Sequence, residues 1–143
     1  MASFNKFQDF AEQLAKGIHQ FHAAGHTLKV YLTNDAPSAS ADAVKVDLAE
    51  ITMTNETNHG AGGGDIQNDY TETAGVGTLT GTDVTFLATG GTVGPFRYAV
   101  LYNDTPAAPA DPLIGWWDYG SSITLNAGES FTVNFGASIL TIE

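Results

Sequence analysis

The sequence predicts a mainly β fold, an antiparallel β-sandwich or jelly-roll-like domain preceded by one N-terminal amphipathic helix. Only the opening residues have apolar side chains at helical spacing. The remainder consists of short apolar runs separated by clusters of Gly, Asn, Asp and Pro, which is typical of antiparallel β proteins. With 143 residues the chain has the size of one compact domain. We therefore expect the helix, residues 1–25, and the sandwich, residues 26–143, to form one structural unit.

The helix prediction depends on apolar residues that recur every three or four positions from Phe4 to about residue 22. Ser3 is a suitable N-cap, and Gly25 is a suitable left-handed residue just past the C-terminus. Gly17 costs about 1 kcal/mol relative to Ala inside a helix, so the helix needs a surface to lie on. We expect it to span roughly residues 4–23 and to contribute to subunit or intrachain packing through Phe4, Phe7, Leu14, Ile18 and Phe21.

The strand predictions follow the alternation of apolar and polar residues. Leu28, Val30 and Leu32 alternate with polar neighbours up to the turn-prone residues 34–37. Residues 44–53 suit a strand followed by a bulge, and the glycine-rich residues 54–64 are expected to form an exposed mobile loop. Further strands are predicted at residues 69–74, 84–88, 96–102, 113–119, 123–125, 130–135 and 139–142.

The charge balance excludes one class of partner. The chain has 16 Asp and Glu against 5 Lys and Arg, a formal net charge of −11. Nucleic-acid binding depends on Lys and Arg that displace counterions, so we expect no nucleic-acid partner. The chain offers neither an apolar signal core nor the roughly 18 consecutive apolar residues of a membrane span. We expect synthesis in a cytoplasm and no membrane partner.

Few residues form a pattern that carries chemistry. His19, His22 and His26 are spaced like metal ligands on a helix, but His26 lies beyond Gly25, where the predicted helix has ended. The chain lacks cysteine, and its single glycine-rich stretch does not repeat as calcium-binding turns do. No nucleophile lies in a recognisable elbow or triad context. We therefore predict no catalytic residue, metal or cofactor, and no enzymatic activity.

The aromatic residues indicate a binding surface. Trp116, Trp117 and Tyr119 form the densest aromatic cluster of the sequence, and strand alternation places the two tryptophans on opposite faces. One is expected in the core. The other is expected to point outward at a subunit interface or in a ligand groove, because large aromatic residues are enriched at protein contacts. Trp116 and Trp117 therefore join the helix stripe as predicted interface residues.

Arg97, the only arginine, lies inside the apolar run 96–102. A buried guanidinium there would need a carboxylate partner, whereas an edge-strand arginine would point to water. The candidate partners are Asp104, Asp111 and Asp118.

Two segments, GPFRYAVLYND at residues 94–104 and DPLIGWWDYG at residues 111–120, resemble small virion proteins of tailed bacteriophages. The opening FNKF at residues 4–7 and LKVYLTN at residues 28–34 resemble the start of the same proteins. ITL at residues 123–125 and ESFTV at residues 129–133 extend the resemblance over most of the chain outside residues 54–66.

The resemblance implies a capsid decoration (cement) protein that binds the outer surface of the assembled head. Such proteins are commonly β-rich homotrimers that clamp neighbouring capsomers, so the implied partner is the major capsid protein and the implied location is the virion. A tail- or fibre-associated structural protein that binds a host surface or glycan is the alternative. A free carbohydrate-binding domain is the third hypothesis.

Overall fold

The computed structural model describes residues 2–143, so Met1 of the predicted unit 1–25 lies outside the described residues. The chain is mainly β, as predicted, with antiparallel strand pairing throughout. Within residues 2–143 there is one α-helix, α1, at Asp9–Ala15, and one 3₁₀ turn, at Lys45–Asp47. The strands are β1 (Asn5–Lys6), β2 (Leu28–Thr33), β3 (Gly64–Asp65), β4 (Asp69–Thr73), β5 (Val76–Thr80), β6 (Val84–Leu87), β7 (Val93–Asn103), β8 (Leu113–Leu125), β9 (Ser130–Val133) and β10 (Leu140–Ile142).

The strands form three sheets. The largest has five strands in the order β1-β8-β7-β2-β3, and its centre is the pairing of β7 with β8 and with β2. A three-stranded sheet has the order β10-β5-β4, and β6 pairs with β9 in a two-stranded sheet. The connection from β7 to β8 begins with Asp104, Thr105 and Pro106, in agreement with the predicted turn clusters. The connection from β4 to β5 is the unpredicted pair Ala74-Gly75, both with positive φ.

Both faces of the five-stranded sheet are covered by apolar groups. On one face Val30 and Leu32 of β2 join Leu79 of β5 and Phe86 of β6 in the larger core cluster. On the other face a second cluster contains Phe7, Tyr31, Leu48, Val100, Tyr102 and Leu113. Residues 99–102 of β7 are buried on both sides of the sheet, so this part of the strand is continuously apolar instead of alternating.

The helix is much shorter than predicted. It covers seven residues instead of roughly residues 4–23. Upstream of α1, Asn5 and Lys6 pair with β8, and the Phe7 N–H donates to the Ile114 carbonyl at 3.1 Å. Downstream, Gly17 adopts a φ of +77°, which ends the helical path. The predicted caps, Ser3 and Gly25, therefore lie outside the helix; an open strand edge and one glycine override the helical spacing of the apolar residues.

Residues 44–53 do not form the predicted strand. They contain the 3₁₀ turn and single bridges from Val44 to Pro112 and from Glu50 to Thr33. The Asp47 carboxylate accepts the Ala43 and Val44 N–H groups at 2.9 and 3.0 Å, and these local bonds favour a turn over a ladder. Elsewhere the predicted strands 113–119 and 123–125 are one strand, β8, while β1, β3 and β5 were not predicted.

Candidate functional site

An open groove between β8 and β9 is the strongest candidate for a functional site. Its volume is about 150 Å³ and its lining is mostly apolar. We call it the aromatic groove; its lining residues are Ala2, Arg97, Ala99, Trp117, Tyr119, Phe131, Thr132, Val133 and Asn134. The groove lies where the five-stranded sheet meets the two-stranded sheet, so its walls belong to two different strand pairs.

A bulge in β8 places Tyr119 at the groove. Tyr98 pairs with Asp118 and Phe96 pairs with Ile123, so β8 has several more residues than β7 over this interval. Gly120 has a φ of +106°, a left-handed value that favours glycine and lets the strand leave the ladder. The Tyr119 side chain is 55% exposed, one of two large apolar side chains so open among residues 2–143.

The aromatic rings of the groove pack against one another and against two rings beneath the groove surface, those of Phe4 and Phe135. Trp117 contacts Phe4 and Phe135 with ring centroids 5.2 and 5.5 Å apart. On the other wall, Phe131 meets Tyr119 edge-on at 5.5 Å. Aromatic pairs at such distances add about 0.5–1.5 kcal/mol beyond their buried area, so the groove wall is held in a defined shape.

A bidentate ion pair lies beside the rings. Arg97 Nε donates to Asp118 Oδ1 at 2.8 Å, and Nη2 donates to Oδ2 at 3.1 Å. The hydrogen bond from Arg97 lowers the pKa of Asp118, and the same bond raises the pKa of Arg97. Of the three predicted partners of Arg97, the structure therefore pairs it with Asp118. Both side chains are more than one-third exposed, so the pair sets geometry and charge position with little effect on stability.

The predicted helix stripe does not lie on one helix. Phe7 and Phe21 are buried, while Phe4 and Leu14 are half-buried against the larger core cluster. Ile18 is half-buried in the irregular segment after α1. Only Leu14 belongs to α1; Phe4 and Phe7 flank β1, and Ile18 and Phe21 lie in the irregular segment after α1.

The two tryptophans lie on opposite faces of the sheet, as strand alternation predicts. Trp116 packs on Phe7 at 4.6 Å in the smaller core cluster. Trp117 packs against the larger cluster and lines the aromatic groove. Both are half-buried, and the one predicted to point outward into an interface or groove corresponds to Trp117.

Of the predicted loop 54–64, residues 54–63 lie outside the helices and strands and Gly64 begins β3, and the segment is tied to the domain by a buried carboxylate. Glu56 is only 6% exposed. It accepts the backbone N–H groups of Asn58 and Leu87 at 3.0 Å and those of His59 and Gly60 at 2.7 Å. Burial alone raises the pKa of Glu56, but these four bonds outweigh burial and hold the pKa below its usual value.

The histidine string forms no helical metal site. Asn103 Nδ2 lies 3.1 Å from Nδ1 of His19 and 3.0 Å from Nδ1 of His26. His22 is exposed. Among residues 2–143, no group of three or more His, Asp or Glu side chains is placed to hold a metal ion. Asn103 could not be identified from the sequence, because its partners are far away along the chain.

No protein-family model, curated protein or solved structure matches the chain. In the part of the chain that the structure describes, no helix is long and apolar enough to cross a bilayer.

Proposed function

We propose that the chain is a capsid decoration protein of a tailed bacteriophage, bound to the major capsid protein on the outer surface of the head. The observation that carries the docking role is the aromatic groove, a surface of supported rings beside an ion pair. The two segments that resemble phage virion proteins also build this groove. Residues 94–104 contribute Arg97 and Ala99, and residues 111–120 contribute Trp117 and Tyr119.

The composition of the groove suits a protein partner. Protein interfaces are enriched in Trp, Tyr, Phe and Arg at their centre and have a polar rim. Here Trp117, Tyr119 and Phe131 supply the centre, while the exposed Thr132 and Asn134 supply the rim. The rings are held by packing in the free chain, so little ordering is needed on binding.

The proposed mechanism is cementing. A protein that binds only the assembled shell shifts the equilibrium toward that shell, and many weak sites together resist the pressure of packaged DNA. We further propose that the five-stranded sheet and the two smaller sheets form a β-sandwich of the jelly-roll type and that the protein acts as a homotrimer. The net charge of −11 is suited to the outside of a DNA-filled shell.

A tail- or fibre-associated module that binds a host surface or glycan is the second candidate. The solvent-exposed ring of Tyr119 lies next to the Arg97–Asp118 pair, and sugar sites combine a flat aromatic face with polar groups of this kind. Specific retention of the protein on a glycan array, lost in Tyr119→Ala, would favour this candidate over decoration.

Binding to isolated heads tests the proposal. Heads that lack the protein are mixed with purified wild type, Tyr119→Ala or Val46→Ala, and bound copies and heat-induced DNA release are measured. Val46 is the matched control because it is 88% exposed and lies outside the groove. We expect saturable binding and delayed release with wild type and Val46→Ala, and weakened binding with Tyr119→Ala. Binding to tails alone, or saturated heads with unchanged DNA release, would contradict cementing.

A further inference from the structure

A segment without regular secondary structure, residues 17–27, connects α1 to β2 and covers aromatic side chains. We call it the strap. Its Phe21 is buried and lies 5.9 Å from the Phe10 ring and 6.0 Å from the Tyr70 ring. His19 of the strap lies 5.3 Å from Phe10. Moving the strap away would therefore expose the rings of Phe10, Phe21 and Tyr70.

Two buried asparagines of the β domain supply much of the bonding to the strap. Asn68 Nδ2 donates to the carbonyl oxygens of Phe21 and His26, at 2.8 and 3.1 Å. Asn103 Nδ2 lies at hydrogen-bond distance from the two imidazoles, at the distances given above. The Asn68 bonds use backbone acceptors and do not depend on pH, whereas the Asn103 bonds use titratable rings.

The Asn103 bonds define the protonation state of both rings. The Asn103 Oδ1 atom accepts the Thr105 N–H at 3.2 Å, which directs the Nδ2 donor toward the histidines. Each Nδ1 must then be an unprotonated acceptor, because Nδ2 offers only hydrogens. A proton on either Nδ1 would put two donors face to face in a site where Asn103 is fully buried.

The nearby acidic groups described in the structure bond to partners other than the two imidazoles. On α1 the nearest charged residues along the chain are Asp9 and Glu12, which bond Gln13 and Lys16. On the β domain, Asp65 lines a cleft with His26, Asp69 accepts the Ala23 N–H, and Asp104 pairs with Lys29. Among residues 2–143, no carboxylate hydrogen-bonds to the ring of His19 or His26.

The surroundings of the His19 ring also disfavour its protonated form. Its side chain is 8% exposed, and its Nε2 has no hydrogen-bond partner. Burial, together with the neighbouring His26, lowers the pKa of His19 from 6.5 to about 4. Because the pKa of His19 is lower in the closed strap than in the open one, the contribution of neutral His19 to the stability of the closed strap is complete above pH 6.5. This contribution is lost as the pH falls toward 4.

We propose that the strap is an acid-sensitive latch: protonation of His19 breaks its bond to Asn103 and releases residues 17–27 while the β domain stays folded. The released strap uncovers an aromatic surface formed by Phe10, Phe21 and Tyr70. This inference does not depend on the proposed capsid function.

Amide hydrogen exchange at pH 7.5 and pH 5.0, corrected for intrinsic exchange rates, tests the latch. If His19 titrates at 6.5 in the open state and about 4 in the closed state, the opening equilibrium of the strap rises about thirty-fold at pH 5.0. The amides of β7 serve as the internal reference for global unfolding. A strap that opens no more at pH 5.0, or opens only in parallel with β7, would overturn the proposal.

Three variants make the test specific. His22→Asn, at an exposed position of the same strap, should retain the wild-type pH dependence. The double variant His19→Asn/His26→Asn keeps side-chain acceptors without titration and should lose it. Asn103→Asp should invert its sign, because protonated rings would then donate to a carboxylate. Retained dependence in the double variant, or an uninverted one in Asn103→Asp, would refute the mechanism.

A measurement on the wild type avoids any folding defect of the variants. The ¹⁵N shifts of the imidazoles at pH 7.5 report which ring nitrogen carries the proton. We expect the Nδ1 atom of each ring to carry no proton, as the hydrogen bonds from Asn103 require. A proton on Nδ1 of either ring would contradict the latch.

Discussion

Replacing Glu56 by Gln tests whether one buried carboxylate organises residues 54–64. Each Glu56 oxygen accepts two backbone N–H groups, from Asn58 and Leu87 on one side and from His59 and Gly60 on the other. An amide in the same place has only one acceptor oxygen. Two of the four N–H groups therefore face an NH₂ group, whichever way the amide is turned.

The expected loss follows from these bonds. A buried donor left without its acceptor costs about 1–3 kcal/mol, so two such donors cost about 2–6 kcal/mol of unfolding free energy. A domain of this size is stable by about 5–15 kcal/mol, so the loss is large. The wild-type contribution is complete above the unfolded-state pKa of about 4.3. It is lost as the pH falls through the depressed folded-state pKa.

Urea denaturation at pH 7 of wild type, Glu56→Gln and Glu72→Gln measures the effect. Glu72 is the matched control because it is exposed and accepts one backbone N–H, that of Gly75 at 2.6 Å. We expect Glu72→Gln to cost less than about 1 kcal/mol. A Glu56→Gln protein within about 0.5 kcal/mol of wild type, or no difference between the two variants, would refute the reasoning.

Three further predictions concern the core, the tyrosines and the groove. Phe7 is fully buried, so Phe7→Ala should lower the unfolding free energy by about 3–5 kcal/mol, and Val46→Ala should change it by less than about 0.5 kcal/mol, as measured in urea. Burial raises the pKa of Tyr31 and Tyr102 above the ordinary tyrosine range. The contribution of the two neutral side chains to the unfolding free energy is therefore complete below pH 10 and is lost as the pH rises. Absorbance at 295 nm should show both tyrosines ionising only together with alkaline unfolding. Ionisation of either in the folded protein would contradict this. Arg97→Lys removes a bidentate bond from an exposed pair, so denaturation should show less than about 1 kcal/mol of loss while binding to heads weakens; unchanged binding would exclude the pair from docking.

The strand pattern could be read from the sequence wherever a segment is buried on one face or has clear turn signals. The predictions at residues 28–32, 69–74, 84–88 and 96–102 coincide with β2, β4, β6 and β7 to within three residues at each end. The predicted helix was too long because the spacing of apolar residues does not show whether a strand edge is available for pairing with residues 5 and 6. Only the fold reveals that β8 offers hydrogen bonds to Asn5 and Lys6.

The candidate site was predictable in part. Strand alternation separated Trp116 from Trp117, and the list of partners for Arg97 included Asp118. The groove also needs Phe131 from β9, which no local pattern connects to Tyr119. The Asn103 bonds to the strap join residues more than 70 positions apart, so sequence spacing could not indicate them.

The number of copies per virion tests the central claim most directly. Quantitative mass spectrometry of purified virions gives the ratio of this protein to the major capsid protein, and electron microscopy of antibody-labelled particles gives its location. We predict many copies in a fixed ratio to the major capsid protein, distributed over the outer surface of the head. A few copies confined to the tail, or none in the virion, would contradict a decoration protein.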